Sequence, residues 1–117
     1  MRLALLVLVL TAPVPALALQ ATCRFETRCA QTAPCVPDDL VLQLASGPME
    51  MSALLIAPDE TAIGEVGLAG NGAVQIAARG PSGVQLLTIA PDAVALYTRH
   101  LAEGPIAVTR LGRCEDT

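Results

Sequence analysis

Residues 73–100, which read AVQIAARGPSGVQLLTIAPDAVALYTRH, decide the fold class of this chain. Three short apolar segments are separated here by two groups of turn-forming residues, RGPSG at 79–83 and APD at 90–92. In the first segment, Val74, Ile76 and Ala78 alternate with Gln75 and Ala77. Alternation with a period of two, bounded by glycine and proline, is typical of consecutive antiparallel strands.

The same spacing extends over the rest of the chain and predicts an all-β domain. Short apolar segments end at glycine, proline or aspartate clusters throughout, at 23–29, 39–45, 49–57, 61–68, 73–79, 84–90, 93–100 and 106–111. About eight short antiparallel strands at this spacing form either a small barrel or a sandwich, and the sequence leaves that choice open. Residues 51–57 (MSALLIA) show no period, so they are compatible with one helical turn or with a strand buried on both faces.

Two stretches of the chain match at an offset of 33 residues. Residues 46–59 contain SGP followed by LLIAPD, and residues 79–92 contain RGP followed by LTIAPD. This internal repeat predicts two copies of a three-strand unit, at 38–68 and 71–101, closed by flanking strands. Chance similarity in a chain rich in Ala, Gly, Leu and Pro is the alternative.

The first residues have the three parts of a secretory signal. Arg2 supplies a positive end, residues 3–10 (LALLVLVL) form an apolar run, and an A-x-A site ends at Ala18. The apolar run is shorter than the roughly 20 residues that span a bilayer. We therefore predict a signal peptide at 1–18, a periplasmic or secreted location, and a single domain at 19–117 without a membrane span.

Four cysteines remain in the predicted mature chain: Cys23, Cys29, Cys35 and Cys114. An even number in a short exported chain predicts a disulfide framework, and the wide spacings do not fit the paired cysteines of a zinc site. If 23–29 is a strand, its ends lie roughly 20 Å apart, too far for a bridge between them. Two pairings remain open, 29–35 with 23–114, which we prefer, and 23–35 with 29–114.

Composition argues against several classes of ligand. The chain carries a net charge of −4, has no lysine and contains 2% aromatic residues, so nucleic acid is disfavoured and stacking platforms for bases or sugars are scarce. Gly70–Gly72 is a hairpin turn rather than a phosphate loop, and no cofactor is predicted. The acidic pairs at 38–39 and 59–60 lack the spacing of a calcium loop, so we expect solvated turn residues and no metal site.

No reaction can be assigned from the sequence. His100 is the only histidine; with Asp92 and one of three serines (Ser46, Ser52 or Ser82) it could form a hydrolytic triad. No nucleophile elbow surrounds any of these serines. We therefore assign no catalytic residue and expect a protein that is not an enzyme.

The segment before the last strand supplies the candidate interaction residues. Alternation places Tyr97 and Arg99 on one face of a strand, with His100 beside them. An exposed Tyr–Arg pair suits a protein contact, because both residue types are enriched at interface hot spots. Arg99, Arg110 and Arg113 could also form a basic spot on an otherwise acidic surface.

The two ends of the chain resemble a known group of proteins. Residues 23–29 (CRFETRC), Cys35 and residues 111–115 (LGRCE) are similar to small, uncharacterised exported proteins of Gram-negative bacteria, which have a C-x-F-x-x-x-C start and a G-x-C-E end. In that group a Tyr or Ser and a His often precede the final strand, as Tyr97 and His100 do here. The resemblance implies a periplasmic location and a β-rich fold, but no activity.

A second resemblance concerns fold only. Periplasmic lysozyme inhibitors are also small disulfide-bearing β-barrels, and they use a Ser-Gly-rich loop with a nearby lysine. Ser46-Gly47 and Ser82-Gly83 are similar to that loop, but the lysine is missing here.

These observations favour a non-catalytic binding or interaction module. Its expected partner is an unidentified protein of the cell envelope. The alternatives are a small hydrolase that uses His100 and a structural protein of the envelope, whose apolar strands would contact other subunits.

Overall fold

A computed structural model of the chain describes residues 20–104 and 106–116. The predicted signal peptide, 1–18, lies outside these residues. The described residues form eight antiparallel strands and no helix, which confirms the all-β prediction. The strands are β1 (Gln20–Ala30), β2 (Val36–Ser46), β3 (Ser52–Ile56), β4 (Thr61–Leu68), β5 (Val74–Gly80), β6 (Gly83–Ile89), β7 (Val94–Leu101) and β8 (Ile106–Asp116).

Each strand pairs with the next, and β8 pairs with β1, so the sheet closes into a barrel rather than a sandwich. We call one opening the terminal end, because Gln20 and Asp116 lie there together with the β2–β3, β4–β5 and β6–β7 turns. The opposite opening, with the other four connections, is the distal end. In the described parts of the chain no helix is long and apolar enough to cross a membrane.

The strand positions agree with the sequence pattern, but several strands are longer or shorter than their apolar segments. β8 continues to Asp116, five residues beyond the predicted end, because Arg113 and Glu115 point outward while Cys114 between them is buried. The ambiguous segment 51–57 contains β3, whose buried residues alternate with less buried ones. It is therefore an ordinary strand with one buried face, not a helical turn.

The barrel interior is filled by side chains. Large buried residues, Phe25, Tyr97, Ile76 and four leucines, interdigitate with six buried alanines, Ala21, Ala53, Ala57, Ala62, Ala78 and Ala95. Eight-stranded barrels have an interior just wide enough for such packing, often with small residues opposite large ones. Burying each large apolar side chain stabilises the fold by roughly 1.5–3 kcal/mol.

The disulfides are Cys23–Cys114 and Cys29–Cys35, which confirms the preferred pairing. Cys23 and Cys114 are direct partners on β1 and β8, both buried, so this bond joins the two strands that close the barrel. It links residues 91 positions apart in sequence, and the chain-entropy model gives such a bridge a stabilisation of roughly 4.5 kcal/mol. Cys29–Cys35 ties the short β1–β2 loop at the distal end.

The predicted repeat does not give two equivalent halves. The turn after β3 lies at the distal end, whereas the matching turn after β6 lies at the terminal end. Leu54 is only half-buried, but Leu87, 33 residues later, is fully buried. The structure therefore adds no support to the repeat, which stays a prediction from the sequence.

Two turns at the terminal end share one conformation but not one sequence. In each, the first residue bonds to the fifth across the hairpin and the fourth has a positive φ. That fourth position is Gly72 (φ 87°) in the β4–β5 turn and Ala93 (φ 74°) in the β6–β7 turn. A left-handed backbone costs an L-residue with a Cβ roughly 1–2 kcal/mol, so Ala93 carries strain that Gly72 avoids.

We expect Ala93→Gly to raise the free energy of unfolding by about 0.5–1 kcal/mol, because relief of strain exceeds the added chain entropy of glycine. Urea denaturation of the disulfide-bonded protein measures the change. The matched control is Gly72→Ala, which should destabilise by a similar amount. The assignment of strain to position 93 would be contradicted if Ala93→Gly lowered the free energy of unfolding and Gly72→Ala raised it.

Candidate binding site

The interior of the barrel is apolar toward the terminal end and polar toward the distal end. Six residues, which we call the polar cluster, contact one another at the distal end: Asp59, Glu60, Ser82, Gln85, Tyr97 and Arg99. They come from β6, from β7 and from the two distal turns at 57–60 and 81–82. The cluster therefore links the turn between β3 and β4 directly to β6 and β7, which are not neighbours of β3 or β4 in the sheet.

Tyr97 joins the apolar and polar halves. Its ring is fully buried and lies 5.5 Å from the ring of Phe25, centroid to centroid. Its hydroxyl donates a hydrogen bond to Gln85 Oε1 and accepts bonds from Arg99 Nε (3.3 Å) and Nη2 (3.2 Å). The Arg99 guanidinium also stands 5.7 Å from the Tyr97 ring centroid, within the range of a cation–π contact.

Arg99 is the central charge of the cluster. Its side chain is 7% exposed, and its Nη1 lies 2.8 Å from Asp59 Oδ2 and 3.0 Å from Glu60 Oε1. Arg99 Nη2 also donates to Asp59 Oδ1 at 3.4 Å, which gives a forked contact with that carboxylate. A buried guanidinium is tolerated only when it is paired and hydrogen-bonded, and these partners meet that requirement.

Glu60 is a buried carboxylate with three donors. Besides Arg99, its oxygens accept bonds from the backbone N–H of Ser82 (3.0 Å) and from the Ser82 hydroxyl. Gly80 leaves the room for this contact, because a Cβ there would lie 2.7 Å from Glu60 Oε2 and 3.1 Å from Gln85 Nε2. Gln85 Nε2 is buried and donates to no other described residue.

A second ion pair lies nearby on the inner wall. Arg110 of β8 donates through Nε to Asp38 Oδ2 of β2 at 2.7 Å, and both side chains are less than a fifth exposed. Arg110 is the register partner of Tyr97, so this pair adjoins the polar cluster. The distal half of the interior thus contains two paired arginines.

These contacts hold the side chains in defined charge states. Burial raises the pKa of Tyr97 above its usual value of 10.0, so its hydroxyl stays protonated. The hydrogen bond from Arg99 lowers the pKa of Asp59 against the opposing effect of burial. Burial, the largest single influence, would raise the pKa of Asp38 and lower that of Arg99, but hydrogen bonds and charge interactions together outweigh it in both cases.

A depression of about 530 Å³ lies at the distal end, directly over the polar cluster. Its lining residues come from three distal connections and from the last residue of β7: Asp59, Glu60, Pro81, Ser82, Leu101, Ala102 and Glu103. Asp59 and Glu103 are exposed, whereas Glu60 lies below them. With three carboxylates near one guanidinium, the depression has an acidic rim.

The structure separates the three predicted interaction residues. Tyr97 and Arg99 do share one face of β7, as predicted, but this face is the barrel interior. The expectation of an exposed Tyr–Arg pair is therefore wrong, because closure of the sheet turned that face inward. His100 points to the other side and is exposed on the outer wall.

Two further surface predictions are corrected. Arg99 and Arg110 lie inside the barrel and Arg113 outside, so the three arginines form no basic spot. Asp38 and Glu60 are not solvated turn residues, since each is largely buried against an arginine.

The residues of the hypothetical hydrolytic triad are also apart. Asp92 lies in the β6–β7 turn, where its carboxylate accepts a bond from the backbone N–H of Val94. His100 lies six residues beyond Val94 along β7, and six residues of strand span roughly 20 Å. Ser82 donates to Glu60, and Ser52 donates to the backbone of Met49. Among the described residues, no three metal-ligating side chains are grouped where they could hold an ion.

Sequence reasoning did not name Gln85, and it named Glu60 and Ser82 only as a turn residue and a possible triad serine rather than as members of a buried cluster. Arg99 alternates in phase with Ala95 and Tyr97, but Val94 and Leu96 on the opposite face are at least as apolar, so the pattern did not show which face is buried. A buried arginine requires a carboxylate partner, but the sequence does not say which of eleven acidic residues supplies it.

No family model matches this chain, and no match was found among curated proteins or solved structures. The fold and the site themselves define the class: a small antiparallel β-barrel with two disulfides, an apolar terminal half and a polar, acid-rimmed distal end. The two disulfides fit an oxidising, extracytoplasmic location.

Replacing the central charge should destabilise the barrel strongly. We expect Arg99→Gln to lower the free energy of unfolding by about 2–4 kcal/mol, because Glu60 would stay buried without its cationic partner. Urea denaturation measures the loss. Arg79→Gln, on an exposed residue of β5, is the matched control and should change stability by less than about 0.5 kcal/mol. Similar losses for both variants would contradict a special role for Arg99.

Stability should decline in acid through Asp38 and Asp59. Both have folded pKa values below 3.8, the value of a free carboxyl of this type, so the unfolded chain takes up protons first as the pH falls. The free energy of unfolding is therefore expected to be constant above about pH 5. It should decrease as the pH drops through 3.8, and stop decreasing once the pH lies below the folded pKa values of both carboxyls. Urea titrations at successive pH values test this. An Arg110→Gln variant should show a smaller decline, and an unchanged decline would count against the Arg110–Asp38 contribution.

Proposed function

We propose that this chain is an exported, non-catalytic binding module that contacts a protein partner through the acid-rimmed depression at the distal end. The observation that carries the proposal is the floor of that depression, where Glu60 accepts two hydrogen bonds from Ser82 and is paired with the buried Arg99. A rigid floor lowers the entropy cost of binding, because little has to be ordered when the partner arrives.

The charge of the depression indicates the chemistry of the partner. Among the charged groups at the depression, Asp59, Glu60 and Glu103 against Arg99 leave an excess of two negative charges. The whole chain is also acidic, with a net charge of −4. A lysine or arginine side chain of a basic protein would find complementary charge there, and such complementarity speeds association and selects partners.

The filled interior favours binding at the surface over enclosure of a small molecule. Phe25, Tyr97 and the leucines occupy the space in which wider barrels hold a ligand. Support for a periplasmic or secreted location comes from the disulfides, together with the signal peptide predicted from the sequence. The partner we propose is accordingly a protein of the cell envelope or its surroundings.

One observation favours a second candidate, a structural subunit. Leu96 and Leu111 are register partners on the outer wall, 41% and 46% exposed, and Leu86 on the neighbouring strand is 44% exposed. Apolar residues grouped on an outer surface are typical of contacts with another protein. In that case the outer wall, rather than the distal end, would form the interface.

A charge reversal at the rim tests the proposal. Disulfide-bonded protein, immobilised through its C-terminus, is incubated with cell-envelope extract, and bound proteins are quantified by mass spectrometry. We expect Glu103→Arg to reduce capture of a basic protein on the order of tenfold, because attraction becomes repulsion at the rim. Capture by the unchanged protein should also weaken as salt is raised.

Three controls separate the alternatives. Glu65→Arg makes the same charge change on an exposed residue of β4, and it should leave capture intact. His100→Ala should also leave capture intact, whereas a loss with it would favour a role for this histidine. If Leu86→Glu abolishes capture and Glu103→Arg does not, the outer wall is the interface and the proposal is wrong.

A further inference from the structure

The β2–β3 turn at the terminal end contains two exposed methionines. Met49 is 75% exposed and Met51 is 57% exposed. Apart from Met1, they are the methionines of the chain, so the described core contains none. Methionine is an apolar residue that usually fills gaps in cores, which makes its confinement to one exposed turn unusual.

The backbone of this turn is fixed in a conformation that does not favour methionine. Met51 has a φ of 57°, in the left-handed region where glycine or asparagine is the usual choice. Its carbonyl accepts a bond from Val66 N–H at 2.8 Å, and Gly47 N–H bonds to Ser52 O at 2.9 Å. The Ser52 hydroxyl also donates to Met49 O. This hydrogen-bonded turn thus exposes two thioether side chains at positions where solvent exposure and backbone conformation favour other residue types. Such a departure from local preference is typical of a functional position.

Thioether sulfur has one characteristic reaction with peroxides. The sulfur takes one oxygen atom from the peroxide and becomes a sulfoxide, while hydrogen peroxide is reduced to water. Methionine sulfoxide reductases reverse the step, and susceptibility follows exposure. We propose that the turn at residues 47–51 is a reversible oxidation site, at which the folded barrel presents Met49 and Met51 to peroxide oxidants.

Oxidation at this turn would change the surface without changing the core. The apolar surface near this turn consists of the two methionines and Leu68 at the end of β4, which is 71% exposed, while Glu50 within the turn is charged. Two sulfoxides would make the turn more polar, whereas the interior packing, which uses no described methionine, would be unaffected. This site lies at the opposite end from the proposed binding depression, so the inference does not depend on that function.

The test exposes the exported, disulfide-bonded protein to hydrogen peroxide and follows intact mass with time. The same protein unfolded in urea, disulfides intact, provides the rate for fully accessible methionine. Digestion with a protease that cleaves after glutamate separates the two residues, because Glu50 stands between them. We expect both to gain one oxygen in the folded protein, at rates within about threefold of those in urea.

Three further measurements decide the outcome. The double variant Met49→Leu, Met51→Leu should fold and gain no oxygen between residues 20 and 116. The oxidised protein should keep its thermal midpoint within about 2 °C, and treatment with sulfoxide reductases should restore its mass. The proposal is overturned if either methionine reacts on the order of tenfold more slowly in the folded protein than in urea, or if oxidation unfolds the barrel.

Discussion

The ion pairs that the buried Arg99 forms with Glu60 and with Asp59 at the rim are the interactions on which the distal half of the structure depends. A guanidinium enclosed by a sheet has to be paired and hydrogen-bonded, since an unpaired buried charge costs several kcal/mol. The three groups that pair with Arg99 come from the turn after β3 and from Tyr97 on its own strand. Glu60 in turn holds Ser82 of the next distal turn. One charge thereby fixes two turns and the floor of the depression between them.

The two ends of the barrel are stabilised in different ways. Toward the terminal end, apolar packing and the buried Cys23–Cys114 bond close the sheet, and neither depends on pH near neutrality. Toward the distal end, ion pairs and hydrogen bonds replace apolar packing, so this half is sensitive to acid and to single charge changes. Replacing a whole buried ion pair by apolar residues is often neutral for stability, so the value of these pairs here lies in the arrangement that they hold. A defined arrangement is what a binding surface needs.

The two ends of the barrel also present different surfaces to other molecules. The distal depression combines an acidic rim with a fixed floor, whereas the terminal end presents a turn with two exposed methionines. The described strands form a closed barrel and leave no free sheet edge among them for a partner strand to join. A protein partner of the kind proposed would therefore contact side chains at the two ends or on the outer wall.

The sequence by itself determined the strands, their order along the chain and the turns between them, because alternation and turn residues are local properties. It also placed Tyr97 and Arg99 on one face of a strand. Only the tertiary structure decided that this face is the inside, since alternation defines two faces but not which one the closed sheet encloses. The partners of Arg99 were undetermined for the same reason: Asp59 and Glu60 are about 40 residues away in sequence, and only barrel closure brings their carboxylates to the guanidinium.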